Sequence, residues 1–342
     1  MTDIRFQKVP GAILLLFLFL MSGAPAWGAE NPLVIKIATL APDGSSWAKA
    51  FASLNQEVQK KTENKVQFKI YAGGVLGDET DMLRKMKIGQ IQGVALSSAG
   101  LSSIFKEIDV VQVPFLFQKY EEVDYIFNKM DGFFRKGFEE SGYTLLGWSD
   151  AGFLYLMSTL PITSVGDLKK AKVWILEDSN LAKAIFEEAG VKGIPLSVPD
   201  VLVGLQTGLV DVVYIPPSAA ISLQWFTKIK YVTDLPLLYL AGAILVRKEI
   251  FGQIPASFQP VVMETARLHL GRLKTTTRNE NRDALQVMTR QGIKIVTPAK
   301  EHLEEFKKLS ARAMTHPGKQ SFSKKNLDEV SSHLEAYRKG GK

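Results

Sequence analysis

Cysteine is absent from the 342 residues, which excludes disulfides, thiolate zinc sites, iron–sulfur clusters, cysteine nucleophiles and any lipid anchor carried on an N-terminal cysteine. Histidine is scarce. The four that occur (His269, His302, His316, His333) lie in the last quarter of the chain, too sparse for a metal site or an acid–base centre. No phosphate-cradling glycine motif is present. An enzyme reading therefore fails on inventory, and neither a cofactor nor a metal is expected. Long apolar runs are also missing: only Ala12 to Met21 qualifies, about ten residues where roughly 20 span a bilayer. What is there suffices for folding, since 46% of residues are hydrophobic and 23% charged, enough for one large or two ordinary cores. The net charge of +7, from 42 basic and 35 acidic residues, gives a mildly basic surface with no aromatic-interleaved basic cluster, so no nucleic-acid partner is expected.

The first residues combine two cations (Arg5, Lys8), the short apolar run and then small residues. This is the pattern of a cleavable secretory signal peptide over residues 1–28. Cleavage after Ala26 or after Gly28 would each leave small residues at the cut. The mature chain is expected to be soluble outside the cytoplasm.

Along the mature chain, Leu33 to Leu40 is a β-branched run followed by a PDGSS loop and an amphipathic stretch from Trp47 to Lys61, which reads as strand, loop, helix. The unit recurs. Strand patterns at 66–72, 92–96, 143–148, 153–158, 172–176, 193–197 and 211–215 alternate with helical patterns near 78–88, 180–189 and 199–207. Gly73, Gly74 and Gly77 fall where a strand must turn into a helix. Such alternation indicates an α/β protein with largely parallel sheets, and the length favours two lobes over one. From Ser257 to Gln291 there is one glycine (Gly271) and one first-turn proline (Pro260). Read as one helix it would be roughly 50 Å long and lie across both lobes; read as two, it would break near Gly271.

Several segments resemble the solute-binding proteins of TRAP (tripartite ATP-independent periplasmic) transporters: KIATLAPDGSSW at the first strand and loop, YAGGVLGDETDMLRKMKIGQI (71–91), VPFLF (113–117), DLKKAKVWIL (167–176), PLSVPDVLVGLQTGLVDVV (195–213) and GIKIVTP (292–298). The resemblance covers essentially the whole mature chain in order. It implies a two-lobed periplasmic binding protein fold, with hinge strands and a long helix spanning both lobes, that closes over a small molecule and delivers it to a membrane permease. The expected division is 29–150 plus 241–279 for the first lobe and 151–240 plus 280–342 for the second, in the periplasm and not as a lipoprotein.

The departures from that family carry the information about cargo. Its members usually grip an organic acid with an arginine, whose paired N–H groups match two carboxylate oxygens; the matching position here is Trp174. A second arginine position falls at Leu154, an asparagine position near Ile215 and a polar opening-loop position at Leu40. A carboxylate buried without such partners loses charge-assisted bonds of roughly 1.5–3 kcal/mol each. The sequence therefore predicts a cleft for a hydrophobic or amphipathic ligand, walled by Trp174, Leu154, Ile215, Tyr214, Leu40 and Val198. Trp148 and Phe153 adjoin it in sequence, and Glu79, Glu177, Ser97 and Ser98 are candidate polar contacts. Asp200 and Asp211 read as structural acids. Acids near the cleft could instead favour a cationic head stacked on Trp174 and Tyr214. The competing readings are an organic-acid receptor using another cation, Arg84 or Arg247, and a periplasmic sensor or lipid carrier without a permease. A greasy cargo also leaves room for an additional periplasmic partner.

Overall fold

The computed structural model describes residues 31–176, 179–315 and 322–340. Residues 1–28, read above as a signal peptide, and Glu177 lie outside the described residues. Among the described residues, eleven strands form two sheets. The first has the order β2-β1-β3-β10-β4, built from β1 (Leu33–Thr39), β2 (Val66–Tyr71), β3 (Gly93–Ser97), β4 (Tyr143–Phe153) and β10 (Tyr239–Arg247). The second has the order β11-β9-β5-β8-β6-β7, built from β5 (Tyr155–Ser158), β6 (Val173–Leu176), β7 (Gly193–Leu196), β8 (Val212–Ile215), β9 (Tyr231–Thr233) and β11 (Lys294–Val296).

Apolar residues alternate to both faces of each sheet, so helices cover both faces. In the first lobe, Ile35, Ile37 and Ile244 pack toward Phe51, Leu54 and Val58 of helix Ser46–Lys61. Leu96 and Leu145 pack on the other side with Phe134 and Phe138 of helix Tyr120–Glu140. In the second lobe Leu156 joins one core with Val173 and Phe306, while its neighbour Met157 joins another with Trp225 and Met288.

The sheets are mixed rather than largely parallel. β1 pairs parallel with β2 and β3, but β10 runs antiparallel to β3 and β4, and β5 antiparallel to β8 and β9. The exceptions involve the chain's route between lobes. It leaves the first lobe through β4 into β5 and returns through β9 into β10, so the outgoing and returning strands lie side by side in opposite directions. Their ladder continues through the crossover itself, where Leu154 donates its N–H to the Leu238 carbonyl at 2.9 Å and accepts from the Leu237 N–H at 2.9 Å.

Helix Gln259–Arg290 is a single helix of 32 residues, about 48 Å long at 1.5 Å per residue; Gly271 does not break it. Val262, Ala266 and Leu270 belong to the first-lobe core and Met288 to the second. Where it passes the crossover, Asn281 donates to the Ala151 carbonyl at 2.9 Å and accepts from the Ser218 N–H at 3.0 Å and hydroxyl at 2.8 Å. The last helix, Lys324–Gly340, does not stay with the second lobe as its place after residue 280 suggested. Val330 and Leu334 bury in the first-lobe core, and Arg338 forms a two-pronged pair with Glu122 at 2.8 Å. Two apolar residues one turn apart give this helix a face that helix Tyr120–Glu140 and the segment Lys106–Gln112 cover.

Candidate ligand site

A cavity of about 320 Å³ lies between the lobes at the crossover. The first-lobe wall comes from the loop after β1, from the start of helix Glu79–Lys87 and from the end of β3. Asp78 caps that helix by accepting from the Asp81 N–H at 2.9 Å, which sets Glu79 in its first turn, facing β3. There the Glu79 carboxylate accepts from the Ser97 N–H at 2.6 Å and the Ser97 hydroxyl at 2.8 Å. The Gly100 N–H is a further donor to it, and burial lifts its pKa from 4.5 to about 7 despite these hydrogen bonds.

The second-lobe wall is carbon. Trp174 is 4% exposed; its indole N–H donates to the Leu196 carbonyl at 2.9 Å, its ring stacks on Tyr214 with centroids 4.9 Å apart, and Trp225 meets it edge-on at 5.4 Å. With the N–H engaged internally, only the apolar surface of the ring remains for the cavity. The Tyr214 hydroxyl accepts from the Leu176 N–H at 3.0 Å, and burial raises its pKa. The cavity does not stop at this wall. It continues into the second lobe, between the sheet and its covering helices, along Leu168, Ile185, Phe186, Phe306 and Leu309. Among the described residues lining it, the charged ones are Asp78, Glu79 and Glu280, and none is Lys, Arg or His.

Of the residues singled out from the sequence, Trp174, Leu154, Ile215, Tyr214, Leu40, Val198, Glu79 and Ser97 meet around this cavity. Three do not. Trp148 donates to Asp131 at 2.8 Å and packs among Phe127, Phe134 and Phe138. Phe153 packs on Tyr120 and Tyr239. Ser98 is fully buried, accepting from the Ala241 N–H at 3.2 Å. Successive residues of an extended chain face opposite sides, so Leu154 at the cavity puts Phe153 in the first-lobe core. The alternative cations are elsewhere too: Arg84 pairs with Asp81 at 2.6 Å on an exposed helix face, and Arg247 pairs with Glu249 at 2.5 Å. Sequence reasoning missed the second-lobe extension and missed Thr277 and Glu280. The only available signal for those two was their i, i+3 spacing on the long helix, which puts them on one face.

The profile of the bacterial extracellular solute-binding proteins, family 7, matches residues 37–320. The chain belongs to this family. This is the family of the TRAP solute-binding proteins, receptors rather than enzymes, and membership implies a ligand and a membrane permease as partners. The chain is 24% identical over 264 residues to the C4-dicarboxylate-binding periplasmic protein DctP of Rhodobacter capsulatus, covering 77% of this chain and 79% of that one. Among solved structures, the sugar acid binding protein DctPAm of Advenella mimigardefordensis in complex with galactonate superposes with a TM-score of 0.83 at 21% identity, over 90% of this chain and 99% of that one. A TRAP periplasmic solute-binding protein of Ralstonia eutropha with bound (S)-2-acetolactate gives 0.82 at 20% identity, over 89% and 99%. These likenesses agree with the two-lobed α/β fold. No helix among the described residues of this family-7 protein is long and apolar enough to cross a membrane.

Proposed function

We propose that this receptor is exported through a signal peptide at residues 1–28, captures a hydrophobic or amphipathic molecule in the inter-lobe cavity, and hands it to a TRAP-type permease. The observation that carries the reading is the charge inventory of the wall: three acids, no cation among the described lining residues, and an indole where the family resemblance expects a guanidinium. The named relatives bind a C4-dicarboxylate, galactonate or (S)-2-acetolactate; an anion of that kind here would face like charge and lose its paired donors. Apolar contact takes the place of the ion pair. Trp174, Leu154, Ile215, Tyr214, Leu40 and Val198 form the hydrocarbon-facing wall, and Glu79 and Ser97 its polar edge. Burying roughly 300 Å² of ligand carbon at about 25 cal/mol per Å² contributes about 7–8 kcal/mol before ordering costs, enough for micromolar affinity when those costs are small. Ligand contacts made by both lobes favour the closed form, which is the form the permease accepts.

The test is solvent extraction of the purified protein with mass spectrometry of the extract, followed by titration of dicarboxylates, sugar acids and long-chain amphiphiles against tryptophan fluorescence. An extracted apolar molecule and preferential amphiphile binding are expected. Trp174→Arg should weaken amphiphile binding at least about ten-fold, as loss of most of one buried side chain's contact implies. Tight succinate or galactonate binding, with no effect of Trp174→Arg on any amphiphile, would sink the reading.

A further inference from the structure

One corner of the cavity is polar, and the apolar reading gives it no task. Thr277 lines the cavity, is 2% exposed, and its hydroxyl has no hydrogen-bond partner among the described residues. Buried hydroxyls are rarely left unpaired in folded proteins, so an orphan on a cavity wall points to a bond made with whatever enters. One turn along the same helix, Glu280 also lines the cavity. It accepts from the Ser46 hydroxyl, which commits the Ser46 proton and leaves the carboxylate with spare acceptor capacity. Arg278, between them in sequence, is drawn to another side of the helix, where Asp124 binds it with two bonds of 2.7 Å and Asp150 with a third. The corner is therefore rich in acceptors, carries negative charge and has no cation of its own among the described residues.

We propose that Thr277, Glu280 and Ser46 form a head-group subsite for the hydrogen-bond-donating end, hydroxyl or ammonium, of a single-chain amphiphile whose hydrocarbon occupies the extension into the second lobe. Both halves of such a molecule find complementary walls: donors meet Glu280 and Thr277, and carbon meets Leu168, Phe186 and Phe306. A carboxylate head finds one donor, the Thr277 hydroxyl, and meets the like charge of Glu280. The inference rests on the apolar-ligand reading above and narrows it to one class of head group.

The experiment titrates the full mature protein, above neutral pH, with decanol, decylamine and decanoate, following tryptophan fluorescence. Decanol and decylamine should bind more tightly than decanoate, by about ten-fold or more, the scale of one charge-assisted bond gained or lost. Thr277→Val, which replaces an unpaired hydroxyl by a methyl of the same shape and should melt no lower than the wild type, should weaken decanol about five-fold. Glu280→Gln keeps an acceptor but removes the charge, so it should weaken decylamine most and decanol less, and improve decanoate. Decanoate binding best, or decanol affinity unchanged in Thr277→Val, would overturn the head-group assignment while leaving the apolar cavity standing. Failure of all decyl compounds to bind would overturn the reading on which it rests.

Discussion

Glu79 shows how burial rather than charge partners tunes a single group. Its two bonds from Ser97 would by themselves depress its pKa, yet desolvation wins and the value rises from 4.5 to about 7. The sign of the consequence follows. Between these values the folded state holds a proton that the unfolded state has lost, so stability declines as pH rises from 4.5 to 7 and the loss is complete above that range. A shift of this size corresponds to about 3 kcal/mol. Glu79→Gln, which can still pair with the Ser97 N–H and hydroxyl, should flatten this dependence and melt higher than the wild type above neutral pH; urea titrations across the range check it. At this scale the sequence picked out Trp174, Leu154, Ile215 and Leu40, all of which line the cavity. It was misleading where adjacency stood in for geometry, as at Phe153 beside Leu154 and Ser98 beside Ser97.

Among the elements, the long helix does more than brace. Its middle turn ties the crossover together through Asn281 on Ala151 and Ser218, and through Arg278 on Asp124 and Asp150, with the Tyr120 ring 4.5 Å beneath the guanidinium. Asp150 is 2% exposed and also accepts from the Tyr239 hydroxyl at 2.5 Å. Removing its cation leaves a buried charge unpaired, so Arg278→Leu should destabilise by about 3–5 kcal/mol, and Asp150→Asn, which keeps the Tyr239 bond, by clearly less. Gly152 is the companion weak point. Its φ is +120°, and a Cβ there would stand 2.3 Å from the Asn281 amide nitrogen. Gly152→Ala should cost several kcal/mol through backbone strain and displacement of Asn281 (about 1–3 for the backbone alone), read by calorimetry. The helix was legible from its lack of breakers, as were the early strand–helix units from their periodicity. The antiparallel strands were not. A run such as AGAILV has the same composition in either direction, and only the route of the chain between lobes decides which one it takes.

Over the whole molecule, two lobes are joined by β4 into β5, by β9 into β10 and by the long helix, while helix Lys300–Thr315 packs in the second-lobe core and helix Lys324–Gly340 in the first. Because the long helix supplies Val262 and Leu270 to one core and Met288 to the other, neither lobe has a complete core without it. Thermal unfolding should therefore be one cooperative transition with equal calorimetric and van't Hoff enthalpies; two resolved transitions would contradict this. The lobes also touch away from the hinge, where Pro199 lies 3.4 Å from the position a Cβ on Gly74 would take. Two-lobedness was legible from length and alternation. The return of the last helix was not, since its apolar pair Val330 and Leu334 could have served either lobe.

The passage of the cavity beyond Trp174 toward Phe306 bears on how cargo leaves. In a clam whose contents lie wholly between the shells, parting them is enough for escape. A tail lodged as proposed would lie inside one shell and would have to be drawn out lengthwise after the shells part. Each methylene held there adds about 0.8 kcal/mol, or a factor of about four in dwell time. Tail length would then set the pace of unloading at the membrane, independently of how readily the hinge swings.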